Sequence, residues 1–337
     1  MHQPVAWTFT NVSVISFVFH ALGLDLWLHR RSGKTQDTSL TRGDSIMITV
    51  HPIAAPLGAR VTGLDLMKPL SSEALGGILD ALYRHGVVVI PGQAPTPAGF
   101  DRFARCLGRP QPHVLTQLRH REQPSILVLS NIVENGEPVG LYDGAAYWHT
   151  DMSYDAEPAM ATLVHCIRSP ASGGETLFAD MFTAYDSLVP ELKQRIDNLV
   201  VLHHYGNRDD LDESSRTSAA RLTDEQKRQV HDVFHRLVRP HPATGRKALY
   251  AVCGSAFGIV GMADDESLAL LRELAAHATR ADHVYRHRYA SGDVVIWDNN
   301  STLHSATPIE PARRPEEERL LYRISVKADP ALTAFRA

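Results

Sequence analysis

Cysteine is scarce in this 337-residue chain: Cys106, Cys166 and Cys253 are its only three. They are widely spaced, odd in number and form no C-x-x-C. A disulfide framework and a thiolate zinc site are therefore both unexpected, and free thiols fit a reducing, cytoplasmic setting. No G-x-G-x-x-G follows a strand pattern and there is no P-loop, so the common dinucleotide and nucleoside-triphosphate cradles are missing. Positive charge is not in excess: 34 Lys and Arg stand against 38 Asp and Glu, a formal net charge of −4. That argues against the basic face by which nucleic acid is recognised, while leaving room for a local basic pocket. Long hydrophobic runs are lacking too. The most apolar stretch, Val5 to Leu28, is interrupted by Asn11, His20 and Asp25. It falls short of the ~20 predominantly apolar residues of a membrane span. No Lys or Arg precedes it, as one would in a secretory signal.

What is present is the composition of a globular protein, 44% hydrophobic and 21% charged, enough to bury a sizeable core. Residues 1–46, with the polar stretch Ser32 to Asp44, read as an accessory or mis-assigned N-terminal segment, and 47–337 as the working domain. Ser71-Ser72-Glu73 opens a helix carrying Leu75, Ile78, Leu79 and Leu82 and ending at Gly86. Val87–Ile90 follows as a buried strand. Thr96-Pro97 caps a second helix. Short strands are expected at Ile126–Leu129, Ala161–Cys166, Thr176–Ala179, Leu199–His203, Leu249–Val252, Val284–Tyr289, Val294–Trp297 and Leu320–Val326. Helices are expected at Ala184–Asn198, Asp224–Leu237 and Asp265–Ala278. Strands and helices do not alternate regularly. The expected fold is mostly β with helical insertions (α+β), a double-stranded β-helix or jelly roll.

Eighteen histidines invite a search for metal ligands. In Trp148-His149-Thr150-Asp151, an extended backbone would turn residues 149 and 151 to the same side. A third ligand is expected from His304, on a polar turn beyond the strand Val294–Trp297. Two imidazoles and a carboxylate on one face of an ion form the facial triad of non-haem Fe(II) oxygenases. Three coordination positions stay open, two for a 2-oxo acid and one for O₂. An isolated H-x-D is weak evidence. A second such pattern, His120-Arg121-Glu122, reads as solvated surface. Arg319 and Arg323, four apart on one predicted strand, add planar forks suited to carboxylates. The same three ligands with water at the open site would serve a zinc hydrolase, and the scaffold would also suit a non-catalytic small-acid binder.

Several ordered motifs together resemble the taurine dioxygenase / 2,4-dichlorophenoxyacetate dioxygenase family, from about Ile48 to Val326. They are Gly58 to Leu66, the Trp148–Asp151 motif, Ser172-Gly173-Gly174-Glu175-Thr176, the block Gly292 to His304, and the closing R-x-x-x-R at Arg319 and Arg323. The resemblance implies an Fe(II)- and 2-oxoglutarate-dependent dioxygenase that hydroxylates, and thereby sometimes cleaves, a small organic anion. Candidates are an aryloxyalkanoate, a sulfonate or a sulfate ester. His149, Asp151 and His304 would hold Fe(II). Thr176 and Arg319 would bind the far carboxylate of 2-oxoglutarate. Arg323, His113 and Tyr205 would meet the substrate. A homo-oligomer with no nucleic-acid or membrane partner is expected. Asp143-Gly144 stands where the taurine branch has an asparagine, which disfavours taurine itself.

Overall fold

The computed structural model describes residues 48–141, 145–205, 223–228 and 230–329. The expected boundary near Met47, the N-terminal segment before it, and Asp143-Gly144 lie outside the described residues.

The chain opens with a hairpin-like pair, β1 (Thr49–Pro52) and β2 (Ala59–Thr62). Helix α1 (Ser72–His85) follows. Its N-cap, Ser71, accepts the Ala74 N–H, and Gly86 at φ 69° closes it, each satisfying backbone groups that the helix leaves over. Strand β3 (Val87–Ile90) leads to α2 (Pro97–Leu107), capped by Thr96 with Pro97 in its first turn. Strands β4 (Arg109–Gln111) and β5 (Leu127–Ser130) precede a tight hairpin of β6 (Val133–Glu134) and β7 (Glu137–Pro138). Its turn, Asn135-Gly136, takes φ 53° and 83°, the left-handed pair that a two-residue hairpin demands. After β8 (Ala161–Arg168) and β9 (Thr176–Asp180) come α3 (Met181–Asp186) and α4 (Pro190–Ile196). Then follow β10 (Val200–His203), α5 (Asp224–Arg228), β11 (Val233–Arg236), β12 (Val238–Pro240), β13 (Lys247–Leu249), β14 (Ala256–Ile259) and α6 (Asp264–Ala278). The last strands are β15 (Val284–His287), β16 (Val294–Asp298), β17 (Thr302–Ala306) and β18 (Leu320–Lys327).

The largest sheet runs β1-β2-β3-β16-β8-β18-β4, with β5 also paired to β18. Only its β2–β3 pair is parallel. A smaller antiparallel sheet runs β15-β9-β17. Strand β3 and the Val294–Ile296 part of β16 are buried on both faces, which is why they read as unbroken aliphatic runs. Val88, Ile90, Val294, Ile296, Leu163, Ile324 and Val326 pack outward against α1 and α2. The alternate residues Val87, Val89, Val295, Trp297, Val164, Cys166 and Leu321 face inward, onto Phe178 of β9. The space between the sheets is thus mostly apolar, and each polar group pointing into it needs a specific partner.

Several sequence expectations are corrected. The single helix over Ala184–Asn198 is two, because Val189-Pro190 restarts the backbone with proline in the first turn of α4. The helix expected over Asp224–Leu237 stops at Arg228. Val233–Arg236 instead pairs with β10, Val201 opposite His235, a tertiary partner outweighing local preference. The strand Leu249–Val252 lies earlier, at Lys247–Leu249.

Candidate active site

His149 and His304 are joined by their backbones. Each donates its N–H to the other's carbonyl, both at 2.9 Å, so two residues 155 positions apart in sequence are clamped side by side. His304 therefore sits inside β17, opposite Phe178, and not on the polar turn expected for it. Asp151 likewise is not on an extended segment with His149. It begins a turn in which Met152 takes φ 57°, and the turn, not strand periodicity, swings the carboxylate back. The outcome is nonetheless convergent: ligand atoms of His149, Asp151 and His304 lie within 4.8 Å of one another, all three residues buried.

The protonation states suit a cation. His149 Nδ1 lies 2.8 Å from the Tyr147 carbonyl, which can only accept. The proton is therefore on Nδ1, and the lone pair of Nε2 faces Asp151 Oδ1 at 3.8 Å. His304 Nε2 lies 3.6 Å from Asp151 Oδ2. Burial and the neighbouring His149 hold His304 well below the usual imidazole range, so it is neutral. Burial alone would push the Asp151 carboxyl up. The Arg323 guanidinium, foremost, and the Thr162 hydroxyl counter it, and the acid is held well below the usual carboxylate range. An ionised carboxylate and two imidazole nitrogens facing each other across a few ångströms form a donor set that a metal ion can bridge.

The carboxylate is locked at both oxygens. Thr162 on β8 donates to Oδ2 at 2.7 Å, and Arg323 on β18 approaches Oδ1 at 3.2 Å. Thr162 in turn accepts from Asn299 Nδ2 at 3.0 Å, and Asn299 Oδ1 accepts the Asp151 N–H at 3.4 Å. The rings of Trp297 and Phe178 flank His304 at 4.7 and 6.3 Å. Thr162 and Arg323 occupy inward positions of the large sheet, and Asn299 directly follows β16.

Arg319 and Thr176 are both buried but lie away from this cluster. Thr176 is opposite Ala306 on β17, two residues beyond His304. Arg319 precedes β18 instead of lying within it. Its N–H donates to Asn131 Oδ1 at 2.7 Å, and Asn131 ties it to the loop carbonyls of Glu310 and Glu317. Gly174 explains the double glycine before Thr176: at φ +72°, a Cβ there would stand 3.0 Å from Arg319 Cδ. Arg323, expected to meet substrate, contacts Asp151 Oδ1 at 3.2 Å.

His113 and Tyr205 come together on a further wall, their rings 6.2 Å apart. His113 Nδ1 accepts the Leu115 N–H, which leaves its proton on Nε2. Burial first, then Arg323, pushes its pKa down to about 3. Tyr154, which sequence reasoning passed over, packs on Tyr205 at 4.6 Å and feels the charges of both Arg323 and Asp151. The second pattern, His120-Arg121-Glu122, is spent on a turn: His120 Nδ1 accepts from the Glu122 and Gln123 N–H groups.

A mixed, sheet-rich core with a buried His-Asp-His set able to hold a metal fits the mononuclear metal enzymes. Comparison with known proteins takes the step to a family. The profile of the Taurine catabolism dioxygenase TauD, TfdA family matches residues 49–325. The chain is 33% identical over 291 residues to pentalenolactone F synthase of Streptomyces arenae, covering 84% of this chain and 96% of that one. It is 30% identical over 286 residues to the 2,4-dichlorophenoxyacetate dioxygenase of Cupriavidus pinatubonensis, covering 81% and 96%. Among solved structures, AAD-2 in complex with Mn(II) and N-oxalylglycine superposes with a TM-score of 0.67 at 30% identity, over 84% and 98% of the two chains. The chain belongs to the TauD/TfdA dioxygenase family. It is a 2-oxoglutarate-dependent dioxygenase that uses Fe(II) and O₂, which decides against the hydrolase and the non-catalytic binder. Among the described residues, no helix is long and apolar enough to cross a membrane.

Proposed function

We propose that His149, Asp151 and His304 hold the Fe(II) on a jelly-roll scaffold, that Thr176 and Arg319 bind the distal carboxylate of 2-oxoglutarate, and that Arg323 draws in a small organic anion. The observation that carries this reading is the convergence of His149, Asp151 and His304 in a buried space, with Thr176 two register steps further along the paired strands. When bound, the iron supplies the oxidising chemistry by which 2-oxoglutarate and O₂ become succinate and CO₂ while a substrate C–H becomes C–OH.

The chain's own groups do the positioning. Thr162 and Arg323 hold the Asp151 carboxylate ionised and stop it rotating. The Tyr147 carbonyl fixes the His149 tautomer. Arg323 has further N–H groups beyond the one aimed at Asp151, and these can turn to a carboxylate, sulfonate or sulfate oxygen. Neutral His113 offers one more N–H donor, and Tyr154 and Tyr205 supply flat apolar walls. Such walls beside a single cationic fork favour an anion with a planar or aliphatic body over the compact, zwitterionic taurine. The relatives acting on phenoxypropionate and sulfate esters set the library to try. The catalytic unit is taken as residues 47–337, and its three free cysteines are consistent with the cytoplasm.

The test is succinate release from 2-oxoglutarate, with Fe(II) and a panel of aryloxyalkanoates, sulfonates and alkyl sulfates. Stimulation by one class over the substrate-free rate, abolished in Asp151→Ala, is expected. Full turnover by Asp151→Ala would remove that residue from the ligand set.

A further inference from the structure

The segment between β13 and β14 packs against the back of the metal-ligand motif. Gly254 takes φ +82°, and a Cβ there would stand 2.7 Å from His149 Cβ and 3.1 Å from His149 Cα. Those atoms belong to the backbone or are fixed to it, so they cannot swing aside. Only glycine lets the two stretches of chain meet this closely. The next residue, Ser255, is pinned through its carbonyl, which accepts the His204 N–H at 3.0 Å.

The Ser255 hydroxyl is the middle link of a run of three side chains. His203 Nδ1 lies 3.0 Å from Ser255 Oγ. Ser255 Oγ lies 2.7 Å from Ser153 Oγ. Ser153 Oγ donates to the Thr150 carbonyl at 3.2 Å. Proton counting fixes the direction. The carbonyl can only accept, so Ser153 spends its one proton there and accepts from Ser255. Ser255 then has none left for His203, so His203 donates from Nδ1. Each hydroxyl gives one hydrogen bond and takes one, and the run ends on the peptide that leads into Asp151. At its far end His203 is buried and sits where the register of β10 against β14 shifts, an irregularity of the kind that re-aims a side chain.

The stretch this run reaches needs support. Met152 adopts φ 57°, a left-handed conformation that a residue with a side chain keeps only when its surroundings over-determine it. Across the same turn the Ser153 N–H reaches the Thr150 carbonyl only at 3.5 Å, a weak backbone closure. The Ser153 hydroxyl, backed by Ser255 and His203, supplies a second bond to that carbonyl.

We propose that Gly254 and Ser255 are positioning residues for the metal. Gly254 seats the His149 backbone. Ser255, with His203 and Ser153, fixes the Thr150–Asp151 peptide from which the Asp151 side chain departs. This rests on the His-Asp-His reading above and adds to it a brace that acts on the ligands' backbone, where Thr162 and Arg323 act on the carboxylate itself.

The test is calorimetric titration of the oxygen-free, metal-free full chain with Mn(II), alongside urea unfolding of the same protein without metal. Ser255→Ala removes the middle hydroxyl and Ser255→Thr keeps it. The alanine variant is expected to bind Mn(II) about tenfold more weakly, the lower end of what groups orienting metal ligands contribute, and the threonine variant to stay within about threefold of wild type. Gly254→Ala is expected to lose at least as much as Ser255→Ala. Ile78→Val, in the core between α1 and the large sheet, lowers stability away from this brace and should bind Mn(II) as wild type does. An Mn(II) affinity of Ser255→Ala within twofold of wild type overturns the proposal. So does a threonine variant as impaired as the alanine one. So does an Ile78→Val loss equal to that of Ser255→Ala, since metal affinity would then merely follow stability. Should Ser255→Ala not fold, Ser153→Ala cuts the run one link nearer Thr150 and is read in the same way. Wild type that binds no Mn(II) would instead fell the His-Asp-His reading, a result distinct from the others.

Discussion

Replacing Thr162 by Val tests whether the metal set is organised by the groups around it. The hydroxyl donates its one proton to Asp151 Oδ2 at 2.7 Å. It accepts from Asn299 Nδ2 at 3.0 Å and meets Ser325 Oγ at 3.1 Å. It is completely buried, so no water replaces what valine removes. Loss of a hydrogen bond to a buried charge costs ~1.5–3 kcal/mol. The unfolding free energy of the metal-free protein should therefore fall by about 2 kcal/mol in urea titrations. Asp151 would then be held at Oδ1 alone, by Arg323, and free to rotate away from His304. Removal of a group that orients a metal ligand typically weakens metal binding 10- to 100-fold, and Mn(II) affinity by calorimetry should drop in that range. Thr162→Ser keeps the hydroxyl and should restore most of it. A valine variant that binds Mn(II) within twofold of wild type, or a serine variant as impaired as the valine one, would refute the claim that Thr162 orients Asp151.

Two further outcomes are expected. Gly174→Ala combines a left-handed backbone with a Cβ 3.0 Å from Arg319 Cδ. It should lower stability by ~1–3 kcal/mol and weaken 2-oxoglutarate more than Mn(II), and equal loss of both ligands would count against the Gly174–Arg319 contact. His203 is completely buried, and burial first, then His235 and Arg239, pushes its pKa down to about 3. The unfolded chain binds a proton there near pH 6.5 while the folded chain does not, so this contribution is intact above pH 6.5 and lost as pH falls from 6.5 towards 3, by up to about 1.4 kcal/mol per pH unit. His203→Asn should flatten the pH dependence of urea stability between pH 6 and 4, and parallel curves for the two proteins would show that His203 is not the group responsible.

The strands that could be read in advance were those whose burial left a local trace. Val87–Ile90 is aliphatic throughout and Val294–Trp297 apolar throughout because both faces are covered. Helices α1 and α2 announced themselves by Ser71, Gly86 and Thr96. Strand β17, Thr-Leu-His-Ser-Ala, carries one large aliphatic residue and exists as the partner of β9, so His304 read as part of a turn. Val233–Arg236 became a strand for the same reason. Tyr154, Thr162 and Asn299 left no sequence signal, since each takes its role from what it faces across the interior.

The order of motifs along the chain, and with it the donor atoms and the family, was determined by sequence alone, because ligand chemistry belongs to residue types and their spacing survives folding. Tertiary structure decided how those donors meet. The backbone pairing of His149 with His304, the turn that returns Asp151, the Arg323 fork on its carboxylate and the Tyr289–Thr176 contact join segments up to 172 residues apart. Such contacts are set by strand register and by burial away from water, and neither is written in any local stretch of sequence.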